Sequence, residues 1–265
     1  MAPADPEPCI DTHVHLDDHT FDQDREAVLA ASRSAGVTHF INIGYVPASW
    51  KASARLREVH SDIEIAIGLH PGHADQWSES LAAELEDSVQ RLRPLAIGET
   101  GLDFVRPTPD PLLQAEAFRA QLALAERADL PVVIHQRLAG EALMAELDEY
   151  PGVRSVVLHS FDGDARFVDW ARERDCYFGI GGLAAKKGSD ALRSALSGAP
   201  FDRLLLETDS PYLSPPGSTS RRNTPANLPV IAAILAPIWR VSAPELMRQA
   251  RLNTTDLFGA WGGNT

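Results

Sequence analysis

Ile-Asp-Thr-His-Val-His, residues 10–15, is a short apolar-to-polar run closed by two imidazoles one residue apart. Side chains two apart on a strand project from one face, so His13 and His15 could reach a single metal ion together. The same unit recurs outward along the chain, and its recurrence sets the expected fold. His70 and His73 close Gly-Leu-His-Pro-Gly-His, residues 68–73, and Glu99 closes Pro-Leu-Ala-Ile-Gly-Glu, residues 94–99. His135 follows Leu-Pro-Val-Val-Ile, His159 follows Ser-Val-Val-Leu, and Asp209 ends Leu-Leu-Leu-Glu-Thr-Asp.

Apolar runs rich in β-branched residues begin near Ile10, Val37, Ile63, Leu95, Val132, Val153, Tyr177 and Leu204, which counts as eight strands. Residues 25–35, 50–59, 81–92, 112–128, 140–147, 165–172 and 190–196 carry helical apolar spacing between them, and two further helical stretches lie at 225–238 and 243–257. Pro94 and Pro131 stand just ahead of strands, where a helix must already have stopped. Alternating strands and helices joined by right-handed crossovers build a parallel sheet, and eight strands predict a closed (β/α)8 TIM barrel of the α/β class. No GxGxxG follows the first strand, which disfavours an open dinucleotide-binding sheet. In a barrel every strand ends at one mouth, so residues far apart in sequence are expected to converge there.

With 265 residues and 44% hydrophobic composition, the chain can bury one large core. A single domain is expected over residues 9–265, behind a Pro-rich, flexible lead at residues 1–8. The net charge of -13 excludes a broad basic coat for nucleic acid or anionic lipid, though not a local phosphate site. Arg137, Lys186, Lys187, Arg221 and Arg222 are the cations expected to gather at the mouth. Two cysteines, Cys9 and Cys176, are too few for a disulfide scaffold. Lacking a long apolar run or a signal-peptide pattern, the chain is expected to be cytoplasmic, without a membrane and without an obligate protein partner.

Each candidate has a plainer competing role. A strand-end histidine can be a satisfied core residue, Glu99 a solvated loop carboxylate, and Asp209 a turn former before Ser-Pro. Glu207 could hold its loop through hydrogen bonds. His19, His39 and His60 fall in a loop, inside the second strand and at a helix end, and read as structural. Taken together, the strand-end groups offer nitrogen and oxygen donors without thiolates, which suits Zn²⁺, Mn²⁺, Mg²⁺ or a mixed pair. Asp209, beside the first strand once a barrel closes, could ligate a metal and accept a proton from an attacking water.

Asp-Thr-His-Val-His-Leu-Asp at 11–17, Gly-Leu-His-Pro at 68–71, Ile-Gly-Glu-Thr-Gly-Leu-Asp at 97–103, Pro-Val-Val-Ile-His at 131–135, Leu-His-Ser-Phe-Asp-Gly at 158–163 and Leu-Leu-Glu-Thr-Asp-Ser-Pro-Tyr-Leu at 205–213 span nearly the whole chain. Together they resemble the TatD-related metal-dependent hydrolases, many of which are deoxyribonucleases. The resemblance implies two divalent ions per chain, with His13, His15 and Asp209 on one, His135 and His159 on the other, and Glu99 shared. It implies Asp209 and Glu99 as catalytic groups, and His70, His73, Arg222 and Asn223 as substrate contacts. The expected partner is DNA or another phosphodiester, with cutting from the 3′ end of a single strand as the expected mode. Thr224, Ser160 and Phe104 stand where the family often has Glu, Cys and Tyr. The wider amidohydrolase superfamily gives the alternative of a carboxylic ester or amide hydrolase, such as an aminoacyl-tRNA deacylase. Many two-metal members there bridge the ions with a carbamylated lysine on strand four, where this chain has Glu99.

Overall fold

The computed structural model describes residues 6–105, 109–218 and 220–259. Eight strands alternate with helices: β1 (Cys9–Val14), β2 (Val37–Gly44), β3 (Ile63–Ile67), β4 (Ala96–Asp103), β5 (Val132–Arg137), β6 (Val156–Leu158), β7 (Tyr177–Ile180) and β8 (Leu204–Leu206). They pair in parallel and in sequence order. The ring closes where Val14 bridges Ser210, with the His15 N–H donating to Ser210 O at 2.8 Å and the Asp209 N–H to His13 O at 2.9 Å. The Thr12 hydroxyl adds a bond to Leu206 O at 3.0 Å. The fold is therefore a (β/α)8 TIM barrel.

The helices are α1 (Arg25–Ser34), α2 (Pro47–Val59), α3 (Glu79–Leu92), α4 (Pro111–Ala128), α5 (Gly140–Asp148), α6 (Ala165–Glu173), α7 (Gly182–Ala185), α8 (Asp190–Leu196), α9 (Leu228–Leu235) and α10 (Ala243–Phe258). Side-chain oxygens of Ser78, Asp110, Asp164 and Ser242 accept first-turn N–H groups and start four of them. Arg93 and Asp129 take left-handed backbone at the ends of α3 and α4. The four-residue α7 and a 3-10 turn at Pro71–Gln76 were not expected, since segments so short show no periodicity. The sixth strand begins at Val156 rather than near Val153, because Tyr150–Val153 closes a turn and the Gly152 N–H donates to the Glu126 carboxylate.

Period-two alternation divides the apolar residues between two cores. Phe40, Ile63, Ile65, Ile67, Ile134, Phe178 and Leu206 face the helices in the outer core. Ile41, Ile43, Val133, Val157 and Leu205 fill the barrel's interior, together with Tyr177 and Leu257. Each such side chain taken fully out of water contributes about 1.5–3 kcal/mol. Val14 belongs to the outer core, which turns His13 and His15 inward. Buried side chains of α4 brace the loops beyond β3 and β4: Gln121 pairs with both backbone groups of Leu69, and Gln114 with both of Asp103.

Residues 1–5 of the expected lead lie outside the described residues. Pro6 and Glu7 lie against Gly36, and Glu7 pairs with Arg248 at 3.4 Å. Among the described residues no single helix is long and apolar enough to cross a membrane. Both cysteines are buried and free.

Candidate metal centre

His13, His15, Glu99, His135, His159 and Asp209 meet at the C-terminal mouth of the barrel, where His15, Glu99, His135, His159 and Asp209 line a cleft of about 360 Å³. Glu99 is the hub. Its Oε2 lies 3.5 Å from His13 Nε2, while its Oε1 lies 2.7 Å from His135 Nδ1 and 3.8 Å from His159 Nε2. Asp209 Oδ1 stands 3.4 Å from His15 Nε2 and 3.9 Å from His13 Nε2. Two donors about 2.1 Å from one tetrahedral ion are themselves roughly 3.4 Å apart, so this spacing suits a shared cation.

Backbone geometry delivers these groups. Gly98 and Gly101 flank Glu99 with φ of 149° and 140°, and a Cβ at residue 101 would meet His135 O at 2.1 Å. Only glycine lets β4 pass so close to β5 at this level. Asp209 itself has φ of 56°, an uncommon conformation for a residue with a side chain. Its N–H bond to His13 O holds that turn against β1.

Close polar contacts select which imidazole nitrogen faces the cluster. His15 Nδ1 lies 3.2 Å from Ile43 O and His159 Nδ1 lies 2.9 Å from Glu207 Oε1, so each directs Nε2 at its carboxylate. His135 presents Nδ1 to Glu99 and sets Nε2 3.4 Å from Asp103 Oδ2. Both nitrogens of buried His13 lack a hydrogen-bond partner among the described residues. Such orphaned donor atoms are costly without a ligand. Three donor groups, His13–His15–Asp209, His70–Glu99–His135 and His13–His159–Glu207, could each hold a cation.

Charge in the metal-free site follows from burial and pairing. Burial opposes ionisation of Glu99, but the neighbouring His70 and His159 imidazoles outweigh it and hold the carboxyl well below its usual range. Burial likewise opposes the Asp209 carboxylate and is overcome by His15. Burial would discharge His135 and His159; Asp103 and Glu99 instead push His135 up to about 9, and Glu207 and Glu99 push His159 up to about 10. His13 goes the other way, held down by burial and by the neighbouring His159.

Not every expected substrate contact lies in the cleft. His70 and His73 line it. The Gly72 N–H donates to His70 Nδ1 at 2.9 Å, so the neutral ring carries its proton on Nε2, 3.2 Å from His135 Nδ1. That favours a donor over a ligand. Arg222 is instead bound to Asp24 by two contacts of 2.9 and 2.5 Å, bonds the carbonyl of Thr20, and covers the Phe21 ring at 4.9 Å. Its fork is committed to another carboxylate. Asn223 is fully buried; it donates to Thr208 O at 2.9 Å and accepts from Thr224 N and Asn227 Nδ2. It braces the turn that carries Asp209. Of the five cations expected at the mouth, Arg137 alone lines the cleft among the described residues. His39 bonds Thr38, His60 faces Glu26 and His19 is exposed.

Asp103 and Glu207 were missed as partners of the histidines. Glu207 Oε1 also accepts the Ser160 N–H at 2.7 Å, so it braces the backbone beyond β6 as well as the ring. A Cβ at residue 179 would lie 2.3 Å from Glu207 Oε2, which shows why β7 carries glycine there. A Gly beside an acidic strand end was the available signal.

Residues 10–259 match the family model described as TatD related DNase. The chain is 37% identical over 256 residues to the 3′-5′ ssDNA/RNA exonuclease TatD of Erwinia tasmaniensis, covering 94% of this chain and 99% of that one. It is 30% identical over 251 residues to the metal-dependent hydrolase YabD of Bacillus subtilis, covering 94% and 98%. The crystal structure of YJJV, a TatD homolog from Escherichia coli, superposes with a TM-score of 0.90 at 30% identity over 95% of this chain and 98% of that one. With the barrel, the strand-end donors and these likenesses in agreement, the chain belongs to the TatD related DNase family.

Proposed function

We propose that this chain is a divalent-metal-dependent phosphodiesterase that trims single-stranded nucleic acid, DNA first, from its 3′ end. The observation that carries the reading is the division of Glu99: one oxygen faces His13 and the other faces His135 and His159. In this reading His13, His15 and Asp209 hold one ion, His135 and His159 a second, and Glu99 spans both. Two such ions, Zn²⁺, Mn²⁺ or Mg²⁺, supply Lewis-acid charge at the phosphodiester. The Asp209 carboxylate, ionised at neutral pH, takes the proton of the attacking water. His70 Nε2 donates to a phosphate oxygen, and Asp103 and Glu207 keep the two histidines oriented. The relative named as an exonuclease supports the substrate.

The test is cleavage of single strands labelled at either end by chelator-stripped protein reloaded with each ion. Stepwise loss from the 3′ end that depends on the metal is expected. Metal-independent cleavage, or hydrolysis of acyl esters with no action on nucleic acid, would refute it.

A further inference from the structure

Three aromatic rings gather on one side of the cleft. Tyr45, just beyond β2, meets the His15 ring edge-on at 5.4 Å and 89°. Tyr212, in the turn after β8, meets the same imidazole at 5.9 Å and 69°. Tyr45 and His73 lie 5.9 Å apart, tilted by 30°. Tyr212 is 51% exposed. Neither phenol hydroxyl has a hydrogen-bond partner among the described residues, although both side chains line the cleft. A large aromatic surface kept open beside a charged centre serves no packing purpose.

The opposite side differs. In an eight-strand ring β5 lies across from β1, and β5 ends in Arg137, which is exposed, lines the same cleft and has no ion pair among the described residues. The segments after β8, β2 and β3 thus carry aromatic faces to the mouth while β5 carries a cation. A nucleotide has that same polarity, with a flat base at one end and an anion at the other. The cleft volume of about 360 Å³ is at the small end of ligand sites. It suits one nucleotide rather than a duplex end.

We propose that Tyr45, His73 and Tyr212 form a stacking wall for the terminal base of a single strand, with Arg137 taking a flanking phosphate. This rests on the nuclease reading above and deepens it. A base held in a duplex is paired and stacked on its neighbour, so it cannot lie against the wall without first being unpaired. Stacking on protein aromatics tolerates all four bases, which an exonuclease needs.

The test uses the metal-loaded full chain and two labelled single strands, alike except that one ends in an abasic residue. Each protein's ratio of kcat/KM on the two strands is the readout, so partial loss of folded protein cancels. Wild type should prefer the base-bearing end by about 5- to 150-fold, the range for one stacked base. Tyr212→Ala should bring the ratio towards one, and Tyr212→Phe should keep it. A ratio near one for wild type, or an unchanged ratio in Tyr212→Ala, overturns the wall. A wild-type protein that cleaves neither strand yet hydrolyses 4-nitrophenyl acetate refutes the nuclease reading, and the base as occupant with it.

Discussion

Gly179→Ala adds one methyl group to β7, outside the proposed ligand set, and should weaken metal binding. The new Cβ would sit 2.3 Å from Glu207 Oε2 and 2.9 Å from its Cδ, whereas ordinary contact starts at 3.4 Å. The carboxylate must therefore retreat by roughly 1 Å. Its bonds to His159 Nδ1 at 2.9 Å and Ser160 N at 2.7 Å cannot survive a shift of that size in their present geometry. Losing the outer partner of a ligating histidine costs about 10–100-fold in metal affinity, or about 1.4–2.7 kcal/mol. Overpacking adds a destabilisation of about 1–3 kcal/mol, within the margin of a typical fold. Calorimetric titration of the chelator-stripped variant with Mn²⁺ or Zn²⁺ reads the first effect, and thermal unfolding reads the second. Glu207→Gln, which keeps an acceptor oxygen but loses the charge, should fall between wild type and Gly179→Ala. Wild-type affinity in a folded Gly179→Ala protein would show that Glu207 does not orient His159.

Other perturbations separate the remaining roles. Asp209→Asn should lower kcat by about 10²–10⁴-fold while the barrel still unfolds cooperatively, and an unchanged kcat removes the base assignment. Metal uptake should release protons at neutral pH, because His135 and His159 titrate near about 9 and about 10 without metal. Titrations in buffers of different ionisation enthalpy count those protons, and finding none contradicts the protonated site. The same shifts lie above the unfolded histidine value of about 6.5, so they stabilise the metal-free fold fully below that pH and progressively less as pH rises through 9 to 10. Alkaline unfolding of the stripped protein measures this, and stability that rises over the window counts against it. Asn223→Ala should destabilise by about 1–3 kcal/mol and depress turnover, since it strips buried bonds from the Asp209 turn. Arg222→Ala should leave kcat/KM close to wild type; a large loss there would show that substrate draws the guanidinium off Asp24.

How far the site was legible depended on where each residue sits on its strand. His13, His15, Glu99, His135 and His159 end apolar runs, and closure of the ring brings such ends together whatever the loops do. Glu207 and Asp103 were harder, because their role depends on which nitrogen of His159 and His135 faces outward, a choice made across neighbouring strands. The surroundings of Arg222 and Asn223 were hard to read for a related reason. Both lie in a polar loop that looks open to substrate, yet one is bound by Asp24, carried on the segment before α1, and the other is folded into the base of the turn.

From the sequence alone came the barrel, the count of its strands and the set of strand-end donors, because periodicity and chain order determine which residues a closed parallel ring delivers to its mouth. Tertiary structure alone decided that Glu99 divides its oxygens and that Tyr45 and Tyr212 flank His15 from separate loops. Those outcomes depend on contacts between segments remote in the chain, which local patterns do not encode.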